Sequence, residues 1–177
     1  SAIDEITIPT KPNIKLYFDF SYSKLKCDAV FDYNGNEINY FETSNISRDE
    51  ETERNCVSKI SEYGFIEENK KFVIEDVDSI YYFIENILPN IPDEYQVYTS
   101  KKIDDTKILK KVTTNNNFSI GTDGIMSYNF KVNGIDDDEL NNLFASLKSH
   151  KKYFKLKNSE VISLENNESL NEFSDIL

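Results

Sequence analysis

The stretch NIKLYFDFSYSKLKCDAVFDYNGNEINYFE, residues 13–42, decides the fold class because apolar side chains recur in it at every second position. A first alternating run contains Ile14, Leu16, Phe18 and Phe20, and a second extends from Leu25 to Phe31. Such alternation is typical of strands that cover a core with one face. Asn34-Gly35 is a preferred pair for a tight hairpin turn. The stretch therefore predicts an antiparallel meander whose third strand spans residues 37–41.

The next segment, SRDEETERNCVSKISEYGF at residues 47–65, has the signals of one complete helix. Ser47 and Glu50 predict a capping box, and Gly64 predicts the end of the helix. The apolar stripe between them consists of Cys56, Val57, Ile60 and Tyr63. Acidic residues stabilise the positive first turn of a helix. The dense charge is thus interpreted as helix capping rather than a reactive site, since Asp49 and its acidic neighbours lack a nearby histidine.

The remaining chain alternates hairpins and helices in an order that occurs twice. A hairpin precedes a helix at residues 77–88, which stops at Pro89 and has the apolar stripe Val77, Ile80, Tyr81, Ile84, Ile87 and Leu88. Strands follow, then a helix capped by Asp136 and Glu139, a hairpin and a last helix; the stripe of the capped helix is Leu140, Leu143, Phe144 and Leu147. The last helix is predicted from Leu170, Phe173, Ile176 and Leu177. We predict an α+β fold of antiparallel sheets with four flanking helices, and two lobes at residues 1–92 and 93–177. Shifting residues 64–88 by 89 positions places their predicted hairpin and helix on the hairpin and helix of residues 153–177. Duplication and chance alternation both account for this.

Composition restricts the classes of function. The 177 residues carry a formal charge of −12 and a pI near 4.6, which disfavours non-specific adhesion to nucleic acid or anionic membranes. Cys27 and Cys56 are interpreted as buried free thiols. The apolar runs are shorter than a membrane span, and a signal peptide is not recognisable, which predicts a soluble, cytoplasmic protein. The opening Ser-Ala without a methionine suggests an excised fragment.

Motifs of enzymes are largely missing. No glycine-rich phosphate loop ends in Lys and Ser or Thr, and His150 is the only histidine, set among lysines. We therefore expect no catalytic residue, no metal site and no cofactor in this chain. A hydrolase or metal-dependent enzyme built on the acidic run Asp136–Glu139 is another hypothesis; acids that stabilise a helix start are the other interpretation of that run.

Positive charge is concentrated in the second half of the chain. One window contains Lys101, Lys102, Lys107, Lys110 and Lys111. The other supplies the candidate nucleic-acid contacts Lys148, Lys151, Lys152, Tyr153, Lys155 and Lys157. Strand alternation would place Tyr153 on one exposed face with its neighbouring lysines, where cations and a ring could contact a nucleic acid. A solubilising strand face is the other interpretation.

Several segments together resemble the helicase-associated domain of bacterial Swi/Snf-type proteins, which precedes the ATP-driven motor. The segments are FDYNGNEIN, RDEETERNCVSKISEYGF, VDSIYYFIENILPNI and KSHKKYFKLKNSEVISLE. The resemblance implies an accessory module without catalytic residues, with ATP and magnesium bound only by the motor. One departure is the turn at Asn158-Ser159-Glu160, which lacks the glycine expected there.

Two functional hypotheses follow. In the first, the chain contacts its own downstream motor, and its acidic surface covers the motor's basic DNA track until DNA competes it away. In the second, the lysine-rich strand face contacts double-stranded DNA directly and weakly. Neither hypothesis involves a membrane partner.

Overall fold

The computed structural model describes residues 10–165 and 167–174. The chain divides into two compact units, Ser1–Asp105 and Thr106–Leu177. Helices alternate with mainly antiparallel sheets, so the predicted α+β class is confirmed. The boundary between the two units, at Asp105 and Thr106, lies later in the sequence than the predicted junction at residues 92 and 93. The strand Tyr95–Thr99 had been assigned to the second lobe, but it pairs in parallel with the first strand of the chain and so belongs to the first unit.

The first unit contains a six-stranded sheet in the order β4-β5-β2-β1-β6, with β3 beside β2. The strands are β1 (Asn13–Ser21), β2 (Lys24–Tyr33), β3 (Asn36–Asn39), β4 (Ile66–Glu68), β5 (Lys71–Ile74) and β6 (Tyr95–Thr99). The predicted meander is confirmed. Asn34 and Gly35 both have positive φ, 54° and 93°, as a type I′ hairpin turn requires.

One face of this sheet forms the core of the first unit. Its buried side chains include Leu16, Phe18, Leu25, Cys27, Ala29 and Phe31. Helix α1 (Glu50–Glu62) buries Cys56 and Ile60, and α2 (Val77–Tyr82) buries Ile80 and Tyr81. The ring of Phe83, fully buried, lies 5.1 Å from that of Phe18.

The chain after α2 departs from the predicted α-helix. Residues Phe83–Ile87 form a π-helical turn and Leu88–Asn90 a 3₁₀ turn. A π turn contains more residues than an α turn, so α-helical spacing no longer identifies the buried face. Phe83 is fully buried, whereas Ile84, predicted for the apolar stripe, is only half-buried.

A short helix α3 (Lys101–Asp104), which the sequence pattern did not predict, ends the first unit. The second unit then contains β7 (Ile108–Leu109), β8 (Thr114–Ile120), β9 (Met126–Val132), α4 (Asp137–Lys148), β10 (Tyr153–Lys155), β11 (Val161–Ser163) and α5 (Glu168–Ser174). Its sheets have the orders β10-β11-β7 and β8-β9. The core includes the predicted Leu140, Leu143, Leu147 and Leu170. The side chain of Phe173, and Ile176 and Leu177, lie outside the described residues.

The helix N-termini differ from the predicted capping boxes. Asp49, not Ser47, caps α1, because the helix begins only at Glu50 and the Asp49 carboxylate accepts from the Thr52 amide at 3.1 Å. Asp136 caps α4 as predicted, accepting from the Glu139 amide at 2.8 Å. The carboxylate of Glu139, however, accepts from the backbone amide of Lys157 at 2.6 Å, and so joins α4 to a hairpin.

The repeated order of elements is present in both units: α1, β4, β5 and α2 correspond to α4, β10, β11 and α5. Their sheet partners differ, since β5 pairs antiparallel with β2 and β11 pairs in parallel with β7. Duplication therefore remains a hypothesis.

Candidate functional site

The charged start of α1 is organised around an ion pair between the buried Glu53 and the half-buried Arg48. Glu53, 4% exposed, accepts from Nε and Nη2 of Arg48, both at 2.8 Å, and from the Tyr33 hydroxyl at 2.6 Å. Arg48 also donates to the carbonyl oxygens of Tyr40 and Glu42. These bonds fasten the segment before α1 to the helix and the sheet. The charges have a structural role here, which supports the interpretation made from sequence.

The two cysteines are buried and free, as predicted. Burial raises the pKa of the Cys56 thiol to about 12 and holds that of Cys27 well above its ordinary value. Since the thiolate is the nucleophile, neither thiol is activated for catalysis.

The acidic run Asp136–Glu139 has the geometry of a helix start rather than that of a ligand cluster. Asp136 caps α4, and Glu139 binds a backbone amide. Within residues 10–165 and 167–174, no three histidine, cysteine or acidic side chains come together as a metal site. This arrangement offers no support for the metal-dependent enzyme; the expectation of no cofactor remains a prediction.

The predicted nucleic-acid contacts lie at the end of α4 and along the following hairpin. We call the exposed lysines among them the lysine surface: Lys148, Lys151, Lys152, Lys155 and Lys157. Tyr153, in contrast, is only 6% exposed, so its predicted place on an open face is wrong. Alternation identifies residues on the same face but not whether that face is covered. Val161 and Ser163, which pair with Lys155 and Tyr153, are buried as well.

Backbone contacts hold the lysine surface in place. His150 adopts φ 55° after α4, its amide donates to the Leu147 carbonyl at 3.2 Å, and the Lys151 amide donates to the Ser146 carbonyl at 3.0 Å. These bonds form a Schellman motif, with the histidine in the position that glycine usually occupies. Nearby, the ammonium group of Lys157 lies 3.7 Å from the Asp136 carboxylate. The acidic helix start therefore weakens the positive potential of this surface.

The hairpin of β8 and β9 carries an exposed apolar face that the sequence analysis did not identify. We call its outer part the arm: Phe118, Ile120, Ile125, Met126 and Tyr128, which are 71%, 72%, 62%, 67% and 37% exposed. The rings of Phe118 and Tyr128 lie 4.7 Å apart. At the base of the hairpin, Phe130 and Val132 enter the core of the second unit. Strand patterns alone could not separate this buried base from the exposed outer part.

The whole chain, residues 1–177, matches the family described as "Bacterial SNF2 helicase associated". The chain belongs to this family. Searches of curated proteins and of solved structures each found no significant match. The resemblance noted in the sequence is thereby confirmed. Among the described residues of this SNF2-associated chain, no helix has the length and apolar character needed to cross a bilayer.

Proposed function

We propose that this SNF2-associated chain is a non-catalytic accessory domain of an ATP-dependent helicase or DNA translocase that acts in the bacterial cytoplasm. In this proposal the chain binds the ATPase motor of its parent and regulates it, while ATP and magnesium are bound by the motor alone. The description of the family supports an association with such a helicase. The exposed apolar arm is the observation that supports a protein contact.

The arm has the properties of a surface that a partner covers. Large apolar side chains, scattered singly, are ordinary on soluble proteins, but a contiguous apolar patch marks an interaction surface. On the arm, Phe118 pairs with Tyr128 and Ile120 pairs with Met126, so these four side chains share one face. The opposite face, with Asn117 and its neighbours, is polar. We assign the apolar face to an apolar surface of the motor.

A binding experiment with the separately produced motor region tests this assignment. The double variant Ile120→Ser, Met126→Ser should weaken binding to the motor at least tenfold, measured by calorimetry. It removes two exposed apolar side chains and leaves the buried base of the hairpin intact. The matched control is Asn117→Ser, Asn129→Ser on the polar face of the same hairpin, which should bind as the wild type does. Unchanged binding by the arm variant, or no binding by the wild type, would count against the proposal.

The acidic charge provides a means of regulation. A chain with a net charge of −12 is attracted to the basic track on which a motor holds DNA. We propose that it covers this track until DNA displaces it. The association should then weaken as salt is raised, and double-stranded DNA should compete with it. Association that is indifferent to both salt and DNA would contradict this mechanism.

Direct DNA contact by the lysine surface is the second candidate function. It is supported by the exposure of Lys148, Lys151, Lys152, Lys155 and Lys157 on adjoining segments. The burial of Tyr153 removes the stacking ring from this proposal, which leaves phosphate contacts alone. Such contacts are weak, independent of sequence and sensitive to salt.

A further inference from the structure

The sheet of the first unit has a second face, opposite its core, that carries a groove. The groove has a volume of ≈ 590 Å³ and crosses β3, β2, β1 and β6. Four neighbouring strands span about 14 Å, which an extended peptide of about four residues would cross. We call this surface the open face. Its charged and aromatic residues are Lys15, Tyr17, Asp19, Lys26, Asp28, Asp32, Glu37, Glu42 and Tyr98.

Two tyrosines form the centre of the open face. Register pairs Tyr17 with Asp28 on one side and with Tyr98 on the other, so the three residues make a row across β2, β1 and β6. The rings of Tyr17 and Tyr98 are stacked, with centroids 4.8 Å apart and planes inclined by 13°. They are 36% and 44% exposed. The stacked pair thus presents aromatic surface beside a carboxylate.

The charge around the tyrosines is mainly negative. Asp19 is the register partner of Lys26 in the next row, and Lys26 lies 3.1 Å from Asp28. Lys15 forms an ion pair with Asp32 and donates a hydrogen bond to the carboxylate of Glu37. Lys102 lies near Asp19. The carboxylates of the open face nevertheless outnumber these lysines. Stacked rings can also bind bases, but this charge repels the phosphates of a nucleic acid.

We propose that the open face binds an extended, arginine-bearing segment of a partner protein. A planar guanidinium can lie against an exposed tyrosine ring and at the same time donate paired hydrogen bonds to a carboxylate. Tyr98 and Tyr17 supply the ring surface, with Asp28 next to it in the same row. A lysine ammonium can also approach a ring, but it lacks the planar fork that pairs with a carboxylate, so the open face favours arginine. The inference rests on the proposed function that the chain binds a protein partner, and it names a surface and a chemistry for that contact.

The test uses the whole chain and a fluorescein-labelled peptide of alternating arginine and serine, with matched lysine and glutamate peptides. Fluorescence anisotropy should show the arginine peptide binding about two- to five-fold more tightly than the lysine peptide. The glutamate peptide should not bind. Tyr98→Leu should remove the preference for arginine while binding through charge remains. No binding of the arginine peptide, or equal binding of both basic peptides to the wild type, would overturn the inference.

A charge-matched control separates the open face from the general acidity of the chain. Asp19→Asn, Asp28→Asn should weaken binding of the arginine peptide about tenfold. Glu50→Gln, Glu51→Gln, at exposed positions of α1, removes the same charge and should have little effect. Equal losses in the two variants would overturn the inference. Circular dichroism and urea unfolding establish that each variant is folded.

The outcome is separable from that of the proposed function. Motor binding that persists without peptide binding would remove the open face from the contact and leave the accessory role intact. Peptide binding without motor binding would support the open face and contradict the motor as its partner.

Discussion

At the scale of single residues, the ion pair of Glu53 and Arg48 shows what spacing along a helix does not reveal. Ser47, Asp49 and Glu50 all have types suited to a helix start, so capping was predictable but the position of the cap was uncertain by two residues. The burial of Glu53 depends on Tyr33, which is distant in sequence. No local pattern contains that contact. Three-dimensional packing decides which charge becomes internal.

Replacing Glu53 by glutamine should destabilise the protein strongly. The variant keeps the shape of the side chain but leaves the guanidinium of Arg48, whose side chain is 17% exposed, without its anion. Removing one partner of a buried pair costs about 3–5 kcal/mol. Urea unfolding measures the change. Glu51→Gln, exposed on the same helix, is the control and should stay within about 0.5 kcal/mol of the wild type. A loss below about 1 kcal/mol for Glu53→Gln would show that the pair is dispensable.

The same cluster makes stability sensitive to alkaline pH. Burial, reinforced by the hydrogen bond to Glu53, raises the pKa of Tyr33 to about 12 from its ordinary value of 10. Between these values the folded state keeps a proton that the unfolded state loses, so the free energy of unfolding falls as pH rises from 10 to 12. The fall is at most about 1.4 kcal/mol per pH unit for one group. Below pH 10, where Tyr33 is protonated in both states, its full contribution to the free energy of unfolding is present.

The variant Tyr33→Phe identifies how much of this pH dependence of stability comes from the Tyr33 hydroxyl alone. Its unfolding free energy, measured in urea at several values of pH, should fall less steeply above pH 10 than that of the wild type. Tyr95 has its pKa raised to about 12 as well, mainly by burial, and so part of the slope should persist in the variant. Tyr22→Phe, at an exposed turn, is the matched control. Identical slopes for Tyr33→Phe and the wild type would exclude the assignment.

At the scale of elements, strands and helices were predictable because period-two and helical patterns are local. The meander of β1 to β3 and the apolar stripe of α4 both match the prediction. The π turn after α2 was not predictable, since its apolar residues fit α-helical spacing too. The exposure of the arm could not be predicted either, because apolar and polar residues alternate in the same way in an exposed hairpin and in a buried one.

The turn between β10 and β11 contains a residue that glycine should improve. Ser159 adopts φ 72°, and its amide donates to the Leu156 carbonyl at 3.0 Å. The left-handed conformation is costly for a residue with a Cβ. Ser159→Gly should therefore stabilise the protein by about 1 kcal/mol, measured as a higher urea midpoint.

Alanine provides the control for this substitution. Ser159→Ala removes the hydroxyl but keeps the Cβ, and so it should give no gain. His150→Gly, in the left-handed position after α4, should also raise the urea midpoint. Equal midpoints for the glycine and alanine variants of Ser159 would mean that backbone strain is not relieved there.

At the scale of the whole molecule, most of the longer strands and helices could be predicted, but their grouping into two units could not. Pro89 and Pro92 mark a joint in the sequence, yet β6 returns to pair with β1, and the first unit continues to Asp105. Parallel pairing joins residues that are far apart in sequence, and local patterns do not report it. The candidate site was affected in the same way: the lysines are exposed as expected, whereas Tyr153 is covered.

Net charge sets the limit on direct DNA binding by the whole chain. At −12, the protein as a whole repels a polyanion, whereas the lysine surface offers a local attraction. We expect weak binding of labelled double-stranded DNA at low salt that declines steeply as salt rises, measured by fluorescence anisotropy. Replacing Lys151, Lys152, Lys155 and Lys157 by glutamate should abolish it.

The control for that variant replaces four exposed lysines of the first unit by glutamate: Lys11, Lys59, Lys70 and Lys71. Both variants have the same net charge, so a difference between them reports contact and not overall repulsion. Loss in the lysine-surface variant alone would support direct DNA contact by this surface. Equal losses would assign the effect to long-range charge. Binding by neither variant nor wild type would exclude direct DNA contact and leave the proposed protein contact, which the exposed apolar arm supports without any nucleic acid.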